Sequence, residues 1–225
     1  MSKGDTELRA EARREAAPAV VLVLVVLAAL ALTSRAEGWE LLGLPWWIWL
    51  VLGLPAFLLT VDLLLALRGK GLVQSRRAAI VLLVLLASGN FAALMILVAG
   101  LVSANTSDLS GGELLLTGFA IYTTDLVVFG LIFWEVESGG PMVRLQSPAR
   151  DPIEFRFPQD DDTSAGWKPR VWDYLYVSLT NSIAFSPTDT MPLTHTAKAI
   201  MALESVSSLV TVGLVLARAV NILAS

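Results

Sequence analysis

The chain contains no cysteine and a single histidine, His195. It therefore has no disulfide, no thiol nucleophile and no Cys- or His-cluster for a transition metal. Charge is also scarce: charged residues make up 16% of the 225, against 55% apolar. Apolar runs near or above the roughly 18-residue length of a membrane span recur along it, which excludes a soluble protein. There is no Walker loop, dinucleotide fingerprint, nucleophile elbow or zinc motif, so no enzyme class and no cofactor is expected. The net charge of −4 says little, because where charges lie outweighs their sum. Basic residues fall in loops, where membrane topology accounts for them, and nothing in them points to nucleic acid.

What is present reads as an all-α polytopic membrane protein in one domain, 1–225. Five transmembrane helices are expected, with a short re-entrant, pore-loop-like helix before the last. Residues 1–16 form a polar tail with four acids (Asp5, Glu7, Glu11, Glu15) and argue against a cleaved signal peptide. Four spans occupy 17–136: Ala17 to Thr33, Leu41 to Leu67 with a kink at Pro55, Ala78 to Val102, and Glu113 to Val136. A polar loop, 137–170, carries Pro141, Pro148, Pro152, Pro158 and Pro169. Residues 171–223 hold the short helix, a turn and the last span.

Lys and Arg set the orientation. Lys3, Arg9, Arg13 and Arg14 precede the first span; Arg68, Lys70, Arg76 and Arg77 follow the second; Arg144, Arg150, Arg156, Lys168 and Arg170 follow the fourth. Five spans put all three groups on one side, and the opposite loops hold only Arg35. The N-terminus and the 137–170 loop are thus expected in the cytoplasm and the C-terminus outside. Trp39, Trp46, Trp47 and Trp49 would then mark the outer interface, and Trp134, Trp167 and Trp172 the inner one.

The helix from Val171 to about Phe185 has roughly 15 residues, fewer than the roughly 20 a span needs. Trp172-Asp173-Tyr174-Leu175-Tyr176-Val177-Ser178-Leu179-Thr180 resembles a potassium-channel pore helix. Asp189, followed by Pro192, resembles the segment after such a filter, and Ala202-Leu203-Glu204 the start of the inner helix. Most of the chain also resembles an uncharacterised family of bacterial membrane proteins known only as a domain of unknown function. The resemblance implies a channel-like homo-oligomer in the cell membrane with the last helix near the central axis. Monovalent cations are its implied passengers. The filter departs from the pattern. Phe185-Ser186-Pro187-Thr188 stands where Val-Gly-Tyr-Gly would, so both glycines that align carbonyls on an ion are replaced. The orientation differs too: a potassium-channel loop enters from outside, and the charge rule makes this one enter from the cytoplasm.

Ionisable groups within spans are functional candidates. Asp125 sits mid-span beside Thr123 and Thr124, at a depth similar to Asn90. That pair reads either as an ion or proton site or as a hydrogen bond holding two helices together. On the last helix Glu204, Ser208, Thr211 and Arg218 share one face, with Ser207 at its edge. That stripe faces either a water-filled path or a neighbouring helix. Asp189 reads as a cation-attracting mouth or as ordinary turn chemistry; Thr194 or Thr196 as a helix cap; Asp62 as a partner for Arg68. Asp160-Asp161-Asp162 lacks the spacing of a calcium loop and reads as a solvated acidic run. Three functions follow: a channel-like oligomer without a potassium filter, a non-conducting scaffold of the same build, or a small ion- or proton-coupled transporter using Asp125.

Overall fold

The protein is seen in a computed structural model that describes residues 3–40, 44–66, 76–102, 111–146, 153–161, 167–184 and 189–224. Helix α1 runs Lys3–Glu37, so the polar N-terminal segment and the first span form one continuous helix. Ala12, Ala16, Ala19, Val23 and Leu27 fall three or four residues apart and are buried, while Leu22, Val25 and Leu32 face outward. An outward apolar face is what lipid, as solvent, requires. Gly38 stops the helix at φ 68°, a conformation open to glycine.

Among the described residues, four helices are long and apolar enough to cross a membrane: Ala10–Glu37, Arg76–Ala99, Gly112–Gly139 and His195–Ala217. The stretch read as a second span is instead two shorter helices, α2 (Trp47–Leu52) and α3 (Leu54–Ala66). The break falls at Gly53, just before the proline expected to kink it. Pro55 brings no N–H to the ladder, and helical bonding resumes from Phe57 N to Gly53 O at 2.9 Å. The later spans are α4 (Arg76–Val102), α5 (Gly111–Val136) and α8 (His195–Ala224). Thr194 caps α8, its hydroxyl accepting from Ala197 N at 3.2 Å.

Helix α5 is the hub. It packs against α1, α4, α8 and the 14-residue α7 (Val171–Ala184). Two glycines make this possible. A Cβ on Gly130 would lie 2.6 Å from Leu175 Cδ2 and 3.1 Å from Leu175 Cα, so α7 rests almost on the α5 backbone. Gly118 gives Val215 of α8 the same room. Without a hydrophobic drive between helices in lipid, such close approach is the main source of association.

The segment read as a polar loop is partly folded. A 3-10 turn, Glu137–Gly139, leads into α6 (Pro141–Gln146). Strand β1 (Phe155–Arg156) then pairs antiparallel with β2 (Met191–Pro192), Phe155 opposite Pro192. Phe155 is fully buried among Phe133 (centroids 5.1 Å) and Tyr174 (6.2 Å), and Phe157 packs on Tyr174 and Trp167. Tyr174 in the first turn of α7 and Pro192 beyond its far end therefore both meet Phe155. Trp49 and Trp134, read as interface markers, are buried in helix packing.

Gly130→Leu is expected to lower the thermal stability of the purified protein by about 1–3 kcal/mol through overpacking against Leu175. Gly213→Leu, where nothing lies within 4 Å of the new Cβ, is expected to leave it unchanged. Equal effects in a thermal-shift assay would contradict the close α5–α7 contact.

Candidate functional site in the helix interior

The polar face of α8 turns inward. Glu204, Ser207, Ser208 and Thr211 are buried, whereas Leu203, Val206, Leu209 and Leu216 are exposed. Glu204 is fully enclosed and reaches α7, where its Oε2 accepts from Asn181 Nδ2 at 2.6 Å. Its Oε1 makes a short hydrogen bond with Ser178 Oγ. Asn181 also donates to Met201 O at 3.0 Å and accepts from Ser205 Oγ at 3.1 Å. The reason for this tie is the medium: a carboxyl inside a membrane protein must find its partners within the fold. Of the two surroundings the sequence left open for this stripe, Glu204 meets a neighbouring helix, α7.

Ser178 fixes the direction of the bonds. A serine hydroxyl has one proton to give. Ser178 Oγ faces two oxygens, Leu126 O at 2.7 Å and Glu204 Oε1. As donor, Ser178 shares that proton between Glu204 Oε1 and the α5 carbonyl of Leu126. The chain of bonds thereby joins α8, α7 and α5.

Asp125 continues the polar strip toward α4. Asn90 Nδ2 donates to Asp125 Oδ1 at 3.1 Å and to Ile121 O at 3.2 Å. Ser207 of α8 lies against the same carboxyl, and Asp125 and Glu204 are near enough to act on each other through space. Asp125 Oδ2 and Ser208 Oγ are buried without a hydrogen-bond partner. Tyr122 OH and Ser182 Oγ, 2.9 Å apart, add a further α5–α7 bond. Thr124 and Thr211 turn back onto carbonyls of their own helices, to Ala120 O and Ser207 O. The sequence singled out Asn90, Asp125, Glu204, Ser208 and Thr211, and all are brought into one buried strip. Ser178, Asn181 and Ser182 were overlooked as site residues. Their spacing of three and one along a short, otherwise apolar helix was the available signal.

The other candidates lie elsewhere. Phe185, Ser186, Pro187 and Thr188 are outside the described residues, as are Arg68 and the side chain of Arg218. Asp189 is exposed beyond the end of α7. Asp62 pairs with Arg13 at 3.1 Å. Asp161 holds Arg156 at 2.5 Å on the surface, and Asp160 accepts from Phe157 N at 2.7 Å, so these acids shape their own turn. Among the described residues no group of three or more His, Asp or Glu is arranged to hold a metal ion.

A second polar group, missed by sequence reading, closes one end of the bundle. Glu137 is fully buried and its carboxylate accepts from Phe155 N at 2.8 Å and Glu154 N at 3.2 Å. Arg144 donates to Glu137 O at 2.5 Å and lies over the Trp134 and Tyr174 rings. Burial pulls the Arg144 pKa down from its ordinary value. Glu15 of α1 accepts from Val171 N at 2.5 Å, meeting the start of α7. An acid at a helix C-terminus opposes the helix dipole and needs other partners, which was the signal for Glu137.

Comparison with protein-family models, curated proteins and solved structures gives no match to this chain.

Glu204→Gln is expected to keep the tie, since an amide accepts from Asn181 and donates to Ser178. Glu204→Ala is expected to cost about 3 kcal/mol by removing the bonds to Ser178 and Asn181 and leaving a cavity between α7 and α8. Unfolding of the two variants in detergent checks this; a Gln variant as unstable as the Ala variant would mean that Glu204 is held as an anion.

Proposed function

We propose that the protein is a channel-like subunit of the cell membrane: five spans with a re-entrant segment, 171–192, between the fourth and fifth. It assembles as a homo-oligomer with α8 near the central axis. It resembles the pore-loop module of potassium channels without their selectivity filter, and its family resemblance is to the uncharacterised bacterial membrane proteins noted above.

The observation that carries the reading is the meeting of both ends of this segment at Phe155. Helix α7, with 14 residues, is about 21 Å long, short of the roughly 30 Å hydrocarbon core. Tyr174 near its start touches Phe155, and Pro192 beyond its end pairs with Phe155. A segment that starts and finishes at one residue goes in and out on the same face. The tie from Glu204 to Ser178 and Asn181 then holds the inserted helix against the last span. In this reading α2 and α3 together make the second crossing, kinked at Gly53. The basic residues favour the cytoplasm for the N-terminus and the 137–170 segment, with the C-terminus outside.

One observation favours a second reading, a small proton- or cation-coupled transporter. Asp125 Oδ2 is buried and unpartnered in the strip shared by α4, α5 and α8. A transporter predicts uptake that depends on the carboxyl and is lost in Asp125→Asn.

The absence of cysteine allows a direct test. Single cysteines at Asp161, His195 and Ser225 are probed with a membrane-impermeant thiol reagent in intact and lysed cells. A re-entrant segment gives Asp161→Cys and His195→Cys the same accessibility and Ser225→Cys the opposite one. Opposite labelling at Asp161→Cys and His195→Cys would mean that α7 crosses. Cation flux into proteoliposomes, altered by Asp189→Asn, is expected of a channel; no flux with the expected topology leaves the scaffold of the same build.

A further inference from the structure

We infer that the cavity between α1, α3, α4, α5 and α6 is a binding site for one membrane phospholipid. Its phosphodiester sits at Arg76 and an acyl chain lies along the apolar wall. The inference rests on the membrane character of the helices and not on the channel reading.

The cavity has a volume of about 570 Å³. Its wall is apolar, formed by Ala16, Val20, Leu59, Leu83 and Leu131, and its rim carries two ion pairs. Arg76 Nε lies 2.9 Å from Glu135 Oε1, and Arg13 Nε lies 3.1 Å from Asp62 Oδ2. The pairs sit where four helices pass out of their apolar stretches: the start of α1, the end of α3, the start of α4 and the end of α5. Charged rim and apolar floor thus meet at the depth where headgroup meets acyl chain.

Arg76 supplies the complementary charge. Its side chain is 46% exposed, against 7% for Glu135. It gives Nε–H to Glu135 Oε1 and one Nη2–H to Glu135 O at 2.7 Å. A guanidinium has five N–H donors, so three remain. Planar donors of this kind match two oxygens of a phosphate, and basic pockets between transmembrane helices recognise lipid headgroups in this way. Glu135 uses its carboxylate and its backbone carbonyl to fix the guanidinium, and Gly140 leaves room for it. A Cβ on Gly140 would stand 2.8 Å from Arg76 Nε and 3.1 Å from Glu135 Oε1, and the residue adopts φ 97°. The pair is therefore held in place from two sides before any ligand arrives. The wall leaves a space that an acyl chain fills without leaving the bilayer.

The test uses the full chain purified in detergent, delipidated and offered phosphatidylglycerol, phosphatidylethanolamine or diacylglycerol in mixed micelles. Native mass spectrometry reads the lipid-bound fraction. One molecule of either phospholipid per chain is expected, with diacylglycerol retained about tenfold less for want of the phosphate. Arg76→Gln is expected to reduce phospholipid retention by about the same factor. Ala79→Trp, which fills the cavity and leaves Arg76 intact, separates binding from folding: it is expected to abolish retention while thermal stability without lipid stays near that of the parent chain. Equal retention of diacylglycerol, unchanged retention in Ala79→Trp, or occupation of the cavity by a second copy of the chain would each overturn the proposal.

Discussion

A membrane interior offers no water to a polar group, and this constraint organises the protein around Glu204. Once that carboxyl lies on a helix surrounded by apolar residues, something inside the fold must receive it. Ser178 and Asn181 do so, and by doing so they attach α7 to α8. Ser178 passes the bond on to the α5 backbone. Gly130 then lets α7 settle against α5. A helix too short to span the bilayer is held by three hydrogen-bonded groups and one missing side chain.

The charged end of the bundle works by a different rule. There the groups are arginines and acids at helix termini, partly exposed and paired in place. Arg13 with Asp62 joins α1 to α3, and Arg76 with Glu135 joins α4 to α5. Glu137 takes the backbone N–H groups of Glu154 and Phe155, which ties β1 to the end of α5. Burial works against the charge on Arg144, while the Glu137 carbonyl accepts from its Nη1 and two aromatic faces lie against the guanidinium. Arginine keeps its charge even so, because its ordinary pKa lies so high. Basic residues near the ends of the apolar helices thus serve as fasteners between them.

Much of the membrane character was legible because hydropathy is local. The apolar runs of α1, α4, α5 and α8 need no knowledge of their neighbours. The second span illustrates the limit: Leu41 to Leu67 is apolar enough, yet Gly53 and Pro55 divide it into two helices, since apolarity does not guarantee an unbroken ladder. Asn90, Asp125 and Glu204 were legible as costly residues, and so was the bond between Asn90 and Asp125, whereas the partners of Glu204 on α7 were not. Asp62 shows why. Sequence proximity suggested Arg68, but helix packing brings Arg13 from α1 instead. Glu137 and Phe155 were read as loop residues because a loop label says nothing about what lies beneath it. Their burial arises from contacts with β2 and α7, far away along the chain.

The inward turn of the polar stripe bears on how any pore is built. A helix has one stripe to give, and here Glu204, Ser207, Ser208 and Thr211 are committed to α5 and α7 within one chain. The outward face of α8 carries Leu203, Val206, Leu209 and Leu216. On α7 the outward residues are Trp172, Tyr176, Leu179 and Ile183, again apolar or aromatic and again at helical spacing. Faces of this kind can meet lipid or protein without burying unpaired polar groups. Leu203, Val206, Leu209 and Leu216 themselves offer no charge or hydrogen-bonding group to an ion. The buried strip from Asn90 to Glu204 lies inside the chain, on the opposite side of α8 from that apolar face. Channel and transporter readings consequently draw on different surfaces of α8, one outward and apolar, the other inward and hydrogen-bonded.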